Sequence, residues 1–303
     1  MTNTHLTIRG VRIRATDALI FFALAMLSLL ALVFFRRVPA WWVLVLENAA
    51  VAAGYLLLLR YSGRAQGKFL RFFLRLAPVV LSYAYLFGAV DKLQHIIHEG
   101  WLDTRILDLE QAILGVQPTL WIQSYITPAL TEWMMFAYVV YVPLYPVLCG
   151  IIYYKWGELA MEDCFFTLGL TNIFCDIGFI LYPVAGPLPT IGHLYTTKLD
   201  GYVWTWLGEA IRMNLHYVGG SIPSPHCAAA TIMWAMAYRY HRASFWILAP
   251  VVLSLYVSTF YGRYHYVTDA IAGVITALIA LAVAPLLMRG WDRLVARAAT
   301  RVR

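Results

Sequence analysis

Charged residues are scarce in this chain. Asp, Glu, Lys and Arg together make up 13% of its 303 residues, whereas hydrophobic residues make up 61%. An ordinary soluble domain carries about 25% charged residues. So few polar side chains cannot cover the surface of a water-soluble domain of this length, which excludes that class. The composition indicates an integral membrane protein.

Patterns typical of metal sites and disulfides are also missing. No two cysteines form a Cys-x-x-Cys pair, and all four lie in or beside apolar stretches: Cys149, Cys164, Cys175 and Cys227. His95 and His98 stand three residues apart beside Glu99 and could share a metal, but two imidazoles without a further ligand more often belong to a polar helix at the membrane surface. We expect no metal, no organic cofactor and no structural disulfide.

Apolar runs long enough to cross the hydrocarbon core, about 17 to 25 residues, occur eight times. They cover residues 17–35, 41–59, 72–90, 130–154, 161–182, 225–240, 243–261 and 266–288, to within a few residues. The run at 225–240 is the shortest, so seven spans is the alternative, although its loss would put His226 and His265 on opposite faces of the membrane. The sequence predicts an all-α, polytopic membrane helix bundle of about eight spans.

Basic residues are unevenly distributed between the two sides of this bundle. With the N-terminus inside, most of the 23 Lys and Arg residues fall in cytoplasmic segments, chiefly after the second span and at the end of the chain. Cytoplasmic loops of membrane proteins carry this excess. We therefore expect both termini in the cytoplasm. The net charge of +7 reflects topology and attraction to anionic lipid, and it does not require a nucleic acid partner.

Three parts follow from this pattern. Residues 1–71 form an N-terminal two-span membrane hairpin, residues 72–290 a six-span core, and residues 291–303 a basic cytoplasmic tail. The long outer loops 91–128 and 183–224 contain tryptophans that favour the headgroup layer, so short amphipathic helices are expected there. The sequence has no internal repeat, no low-complexity tract and no soluble domain.

A first polar motif opens the run at 225–240. Ser224 suits a helix N-cap and Pro225 the first helical position, so His226 is expected in the first turn of a new helix. A helix start favours anions through its unpaired N–H groups and its dipole. The charge distribution puts this motif on the outer face.

A second motif opens the last run, on the same face. His265 and Asp269 stand four residues apart, so they would share a helix face, and the carboxylate could fix the tautomer of the imidazole. This pair makes His265 a candidate nucleophile. The spacing alone is a weak signal, but three ionisable residues gathered at one membrane edge call for a functional explanation.

The two segments resemble the second and third signature motifs of the type 2 phosphatidic acid phosphatase superfamily, usually Pro-Ser-Gly-His and Ser-Arg-x5-His-x3-Asp. Within it, three segments are more similar to the branch that contains inositol phosphorylceramide synthases and their bacterial relatives. These are Tyr182-Pro183-Val184-Ala185-Gly186-Pro187, Ser258-Thr259 and Arg263-Tyr264-His265-Tyr266. The resemblance covers about residues 80–290 and leaves the first two spans outside.

This resemblance implies a six-helix membrane core that brings the motifs together. It also implies that His265 attacks phosphorus, that His226 protonates the leaving oxygen, and that Asp269 orients the nucleophile. We expect a location in a bacterial inner membrane, and the charge distribution puts the site on the periplasmic or extracellular side.

Some positions differ from the usual pattern. Pro225 replaces glycine, Thr259 replaces the arginine that binds phosphate, and the basic first motif, Lys-x6-Arg-Pro, has no match. Arg263 is a substitute candidate because a guanidinium can engage two phosphate oxygens; the alternative is an interfacial arginine that contacts lipid headgroups. Further candidates for phosphate or substrate binding are Ser224 at the helix start, Lys198 and Arg212.

The sequence thus predicts a membrane lipid phosphatase or phosphotransferase. Its substrate would be a lipid phosphate, a lipid diphosphate or a phospholipid headgroup, and the reaction would pass through a phosphohistidine. Water or a lipid alcohol would be the acceptor. The alternatives are a lipid transporter or flippase, whose sites tend to lie near mid-membrane, and a noncatalytic lipid-binding protein. The pattern does not indicate an oligomeric state.

Overall fold

The structure is a computed structural model that describes residues 5–8, 10–215 and 217–301. The described chain contains a β-hairpin and twelve α-helices. The strands are β1 (Leu6–Ile8) and β2 (Val11–Ile13), and the helices are α1 (Ala15–Val33), α2 (Trp41–Ser62), α3 (Lys68–Val90), α4 (Asp103–Leu114), α5 (Pro118–Trp121), α6 (Pro128–Trp156), α7 (Glu158–Leu181), α8 (Pro187–Ile191), α9 (Val203–Leu215), α10 (Pro225–Tyr240), α11 (Arg242–Tyr261) and α12 (Val267–Arg301). Short 3-10 helices cover Asp91–Leu93, Ile122–Tyr125 and Gly192–Leu194.

Seven helices of the described chain are long and apolar enough to cross a membrane: α1, α2, α3, α6, α7, α11 and α12. The protein is therefore an integral membrane protein with an all-α bundle, as its composition predicts. The eighth predicted run, α10, has only 16 residues, fewer than the about 20 that a lipid-facing span needs. It nevertheless runs from the end of the bundle with His226 to the opposite end, beside Trp156 and Asp163, so the described chain passes through the bundle eight times.

Helix α10 is short because it lies inside the bundle. It packs against α6, α7, α11 and α12, and most of its apolar and alanine side chains are buried. At its C-terminus the Tyr240 hydroxyl donates to Asp163 Oδ2 at 2.6 Å, and the Tyr240 carbonyl accepts from Trp156 Nε1. These partners belong to the start of α7 and the end of α6. A helix enclosed by protein does not have to match the thickness of the lipid.

Helix α7 is the centre of the bundle. All of its residues from Ala160 to Thr171 are buried, and it packs against α1, α3, α6, α10 and α12. Gly157, with φ of +86°, makes the sharp turn between α6 and α7; few residues other than glycine adopt this conformation. The turn sends α7 back along α6 towards the end where the histidine motifs lie.

The first two spans are bound directly to this core. Helix α1 packs against α3 and α7, and the Arg75 guanidinium of α3 forms ion pairs with Asp17 of α1 and Glu162 of α7. Thr16 Oγ1 also donates to Glu162 Oε2 at 2.8 Å. The predicted boundary between residues 71 and 72 falls inside α3, and the division into hairpin and core stays a prediction.

Two regions differ from a plain bundle of spans. Strands β1 and β2 pair antiparallel, with Leu6 opposite Ile13, and the periodicity of the sequence did not indicate this hairpin. Helix α12 continues to Arg301, so most of the predicted tail at 291–303 extends the last helix.

Candidate active site

The start of α10 is built as its sequence predicts. Ser224 is the N-cap, Pro225 is the first helical residue, and the Ser224 hydroxyl accepts from the Cys227 amide at 3.4 Å. His226 therefore lies in the first turn. The Ser224 amide donates to the Asp269 carbonyl oxygen at 2.9 Å, and this bond joins the two histidine motifs through their backbones.

His265 and Asp269 are close, but not because they share a helix face. Helix α12 begins at Val267, so His265 lies just before it and the side chain of Asp269 reaches back from the first turn. Asp269 Oδ2 accepts from the Tyr266 amide at 2.9 Å and lies 3.6 Å from His265 Nδ1. The expected shared face is replaced by a carboxylate that caps the start of its own helix.

The tautomer of His265 follows from its closest partner. Its Nδ1 lies 2.9 Å from the Ser221 carbonyl oxygen, which can only accept, so Nδ1 carries a hydrogen and the neutral ring has its lone pair on Nε2. The Ser221 hydroxyl donates to Asp269 Oδ2 at 2.6 Å. Ser221 therefore connects the imidazole with the carboxylate. No motif in the sequence marks Ser221 as part of the site.

The two histidines are in direct contact. His265 Nε2 lies 3.4 Å from His226 Nδ1, although the residues are far apart in the sequence. His265 and Asp269 are buried, whereas His226 is partly exposed. A lone pair on one imidazole thus points at a second imidazole that substrate can reach.

Aromatic side chains fix the second imidazole. Tyr138 of α6 stacks on the His226 ring at 4.5 Å and on the Tyr264 ring at 4.5 Å, with interplanar angles of 23° and 22°. Tyr141 lies 5.2 Å from the His226 ring. The helical spacing of Tyr138 and Tyr141 in the sequence favours a packed or lipid-facing stripe and gives no sign of the histidine that both contact.

His226 lies in the walls of two cavities. One, of about 590 Å³, is shared with Tyr138, Tyr264 and Arg212. The other, of about 1040 Å³, lies among α3, α6, α7 and α10 and is lined mostly by apolar side chains such as Val80 and Phe87. Asp176 and Asn172 are the polar groups of α7 in this second wall.

Of the three predicted phosphate-binding cations, Arg212 is the one that shares a cavity wall with His226. It shares the smaller cavity with His226 and donates to Glu209 Oε2 from Nε at 2.9 Å and from Nη2 at 2.6 Å. This bonding raises the pKa of the Arg212 guanidinium. Part of its charge is therefore already balanced before a phosphate binds.

Arg263 faces a neighbouring cavity of about 940 Å³, which Arg212 and Tyr264 also line. Its guanidinium lies 4.1 Å from the centre of the Tyr195 ring and donates to the Thr197 carbonyl oxygen, while its Nε has no partner among the described residues. Burial lowers the pKa of Arg263. Lys198, next to Thr197, is exposed and is absent from the walls of these three cavities.

Two buried acids of α4 support the site, and no sequence motif points to either of them. Asp103 accepts from the amides of Ala185 and Gly186 at 2.8 and 2.9 Å. It also accepts from the hydroxyls of Thr190 and Tyr266, each at 2.9 Å. It thereby joins the Tyr182–Pro187 segment to the residue that follows His265.

Glu110 accepts from the Thr268 amide at 2.8 Å at the start of α12, and burial raises its pKa. Asp103 and Tyr266 are more than 150 positions apart in the sequence, and so are Glu110 and Thr268. A pairing at this separation has no local signature in the sequence.

A family model of the PAP2 superfamily matches residues 104–283, more than half of the chain. The chain belongs to the PAP2 superfamily. The matched segment of this PAP2 protein runs from α4 into α12 and contains both histidine motifs, while α1 to α3 lie outside it. Membership supports phosphatase or phosphotransferase activity in general. Comparisons with curated proteins and with solved structures found no match.

Proposed function

We propose that this PAP2 protein transfers a phosphoryl or phospho-headgroup from a membrane lipid through a phosphohistidine at His265. The observation that carries the proposal is the contact of 3.4 Å between His265 Nε2 and His226 Nδ1, together with the Ser221 carbonyl that holds the hydrogen of His265 on Nδ1. A neutral imidazole whose free lone pair faces a second imidazole has the parts that a nucleophile and a general acid require.

In the first step, the lone pair of His265 Nε2 attacks phosphorus. A P–N bond forms, the bond between phosphorus and the leaving oxygen breaks, and protonated His226 gives its proton to that oxygen. Phosphorus must lie beside Nε2 for this attack, so the substrate has to separate the two rings. In the second step, His226 takes a proton from the acceptor, whose oxygen attacks phosphorus, and the P–N bond breaks.

Asp269 and Ser221 would support the charge that develops in this reaction. His265 becomes positively charged when it is phosphorylated, and the Asp269 carboxylate lies 3.6 Å from Nδ1. Preformed charge and hydrogen bonds of this kind stabilise the transition state without reorganisation. Asp269 is a positioning and electrostatic residue in this proposal.

Phosphate oxygens would meet several donors. The first amides of α10 and the dipole of that helix favour an anion beside His226, and we propose Arg212 and Arg263 as the cations that bind phosphate. For Lys198, which lies outside the walls of these cavities, this role stays a prediction. The hydroxyl of Ser224 is buried and caps α10; its part in phosphate binding stays a prediction.

We propose that the lipid chain occupies the cavity of about 1040 Å³, because its walls are mostly apolar and it includes His226. The headgroup would then lie against the two histidines. The resemblance of the motifs to inositol phosphorylceramide synthases favours transfer to a lipid alcohol, and water is the other acceptor.

A substrate panel tests this function. The purified protein should release or exchange the phosphate group of at least one lipid phosphate, lipid diphosphate or phospholipid, assayed with and without a lipid alcohol. Turnover in water alone identifies a phosphatase, and product formed only with the alcohol identifies a transferase. Lipid movement between leaflets without any change in the phosphate group would contradict the proposal and favour a flippase.

The distribution of basic residues supports a site on the outer face. The native cysteines are all buried, so single introduced cysteines can report the topology. Asp200→Cys, at an exposed position on the side of the site, should react with an impermeant thiol reagent in intact cells, and Arg297→Cys should not. The reverse labelling would overturn this orientation.

A further inference from the structure

A large polar cavity lies at the other end of the bundle from His265. It has a volume of about 1310 Å³ and lies between the β-hairpin, the segment that joins α2 to α3, and the start of α7. Helix α7 runs from this cavity at Glu158 to the candidate active site at its other end, so the two sites are separated by the depth of the bundle. The six arginines in its wall are Arg12, Arg14, Arg60, Arg64, Arg71 and Arg75.

Two of these arginines are neutralised by carboxylates. Arg14 pairs with Glu158 at 2.7 Å and with Glu162 at 3.2 Å, and Arg75 pairs with Asp17 and Glu162. This network is mostly buried and holds α1, α3 and α7 together. It fixes the floor of the cavity.

The other four arginines have no carboxylate partner among the described residues. Arg12, Arg60, Arg64 and Arg71 are exposed, and only Arg71 forms a side-chain hydrogen bond, to the Gly67 carbonyl oxygen at 3.4 Å. Six arginines thus face three carboxylates, and an excess of positive charge remains in the cavity. Like charges held together repel one another, which makes an anion a stabilising occupant.

The alternation of buried and exposed side chains along β2 orients Arg12. Val11 and Ile13 of β2 are buried, and Arg12 between them is exposed. Because successive side chains of a strand point to opposite faces, burial of the two apolar residues turns Arg12 towards the cavity. Packing of Val11 and Ile13 therefore places the Arg12 guanidinium in the wall of the same cavity as Arg60 and Arg64.

We propose that this cavity binds a phosphate group on the side of the membrane away from the catalytic histidines. Arginine matches phosphate because its planar fork donates two parallel hydrogen bonds to two oxygens, and several unpaired guanidinium groups suit a group with more than one negative charge. The same chemistry is offered by the headgroup of an anionic phospholipid in the adjacent leaflet and by a soluble phosphate compound. The site is independent of the proposed function.

Two arms of one experiment distinguish these sources. In the first, the full chain in nanodiscs of phosphatidylcholine is titrated with inorganic pyrophosphate by calorimetry. In the second, the protein is reconstituted with phosphatidylcholine and a small fraction of phosphatidic acid, and the retained lipids are counted by native mass spectrometry. The test variant is Arg60→Gln with Arg64→Gln. The matched control is Arg293→Gln with Arg297→Gln, which removes two exposed charges of α12 at the same end of the bundle.

We expect the test variant to bind pyrophosphate about tenfold more weakly or to lose the retained phosphatidic acid, because two charge-assisted contacts are gone. The control variant should stay within twofold of the wild type, and binding should persist in His265→Ala. Saturable pyrophosphate binding supports a soluble ligand, and retained phosphatidic acid alone supports a lipid headgroup.

The proposal is overturned if the wild type binds neither probe, if the test variant binds both as the wild type does, or if the control variant loses as much binding. The last result would mean that general surface charge attracts the anion. Should the thermal midpoint of the test variant fall, Arg12→Gln with Arg71→Gln takes its place and must give the same loss of binding.

Discussion

Buried carboxylates occur at both ends of the bundle, but the groups that face them differ. At the end with the histidines, Asp269 and Asp103 accept hydrogen bonds from backbone amides and hydroxyls. At the other end, Asp17 and Glu162 face the guanidinium of Arg75. Neutral donors leave the charge of a carboxylate available to a neighbour, whereas an arginine neutralises it. The first arrangement suits chemistry at an imidazole, and the second suits the attachment of one helix to another.

The largest effect is expected from His265→Ala. The variant should lose about a thousandfold or more of its activity, as enzymes do when a catalytic nucleophile is removed, while its thermal midpoint changes little. Turnover of a responsive lipid phosphate measures the loss. His193→Ala removes an exposed histidine and serves as the control. Near-normal turnover in His265→Ala would assign the chemistry to another group.

At the opposite end, Arg75→Ala should act on stability. It leaves Asp17 and Glu162 buried without their main counter-ion, which costs about 3–5 kcal/mol when a buried pair is broken. Unfolding in detergent measures the change in free energy. Arg71→Ala, on the exposed face of the same helix, should change stability by no more than about 0.5 kcal/mol. Equal changes in the free energy of unfolding for the two variants would mean that the ion pairs of Arg75 do not stabilise the bundle.

Asp103→Ala should affect both properties. Four donors lose their acceptor, and buried donors without a partner cost about 1–3 kcal/mol each before relaxation, so we expect the variant to be less stable by about 3 kcal/mol in total. Activity should fall as well, because the Tyr266 hydroxyl that Asp103 holds belongs to the neighbour of His265. Asp108→Ala, exposed on the same helix, is the matched control for both measurements. A variant that keeps wild-type stability would remove Asp103 from the support of the site.

The smallest expected effect concerns His226, the proposed general acid, and it tests the mechanism most sharply. His226→Ala removes the group that we propose protonates the leaving oxygen. A substrate with a better leaving group should rescue His226→Ala about tenfold more than His265→Ala, because only protonation of the leaving oxygen has become dispensable. Equal rescue of both variants would refute the division of roles.

Local signals in the sequence predicted much of this molecule. The apolar runs became helices with ends within a few residues of those expected, apart from the longer α12, and the Ser224-Pro225 pair predicted the start of α10. The proximity of His226 and His265 followed from motif resemblance and topology together. Each of these rests on neighbouring residues or on a known pattern.

What escaped prediction depends on contacts between distant segments. The stacking of Tyr138 on His226, the hydrogen bond that the Tyr266 hydroxyl donates to Asp103, and the ion pairs of Arg75 join residues more than 50 positions apart. The composition of α10 does not reveal that four other helices enclose it, because enclosure is a tertiary property. Ser221 lies next to a recognised motif, yet only the fold turns its carbonyl towards His265 Nδ1.

The central claim is that His265 carries the phosphate group between the two steps, and trapping the intermediate tests it most directly. The protein is mixed with a responsive lipid substrate labelled with ³²P in the transferred group, quenched in alkali, and digested for peptide mapping. We predict an acid-labile, alkali-stable label on the peptide that contains His265, increased in the absence of acceptor and abolished in His265→Ala. A label that remains in that variant, or rapid turnover with no label on His265, would contradict the account.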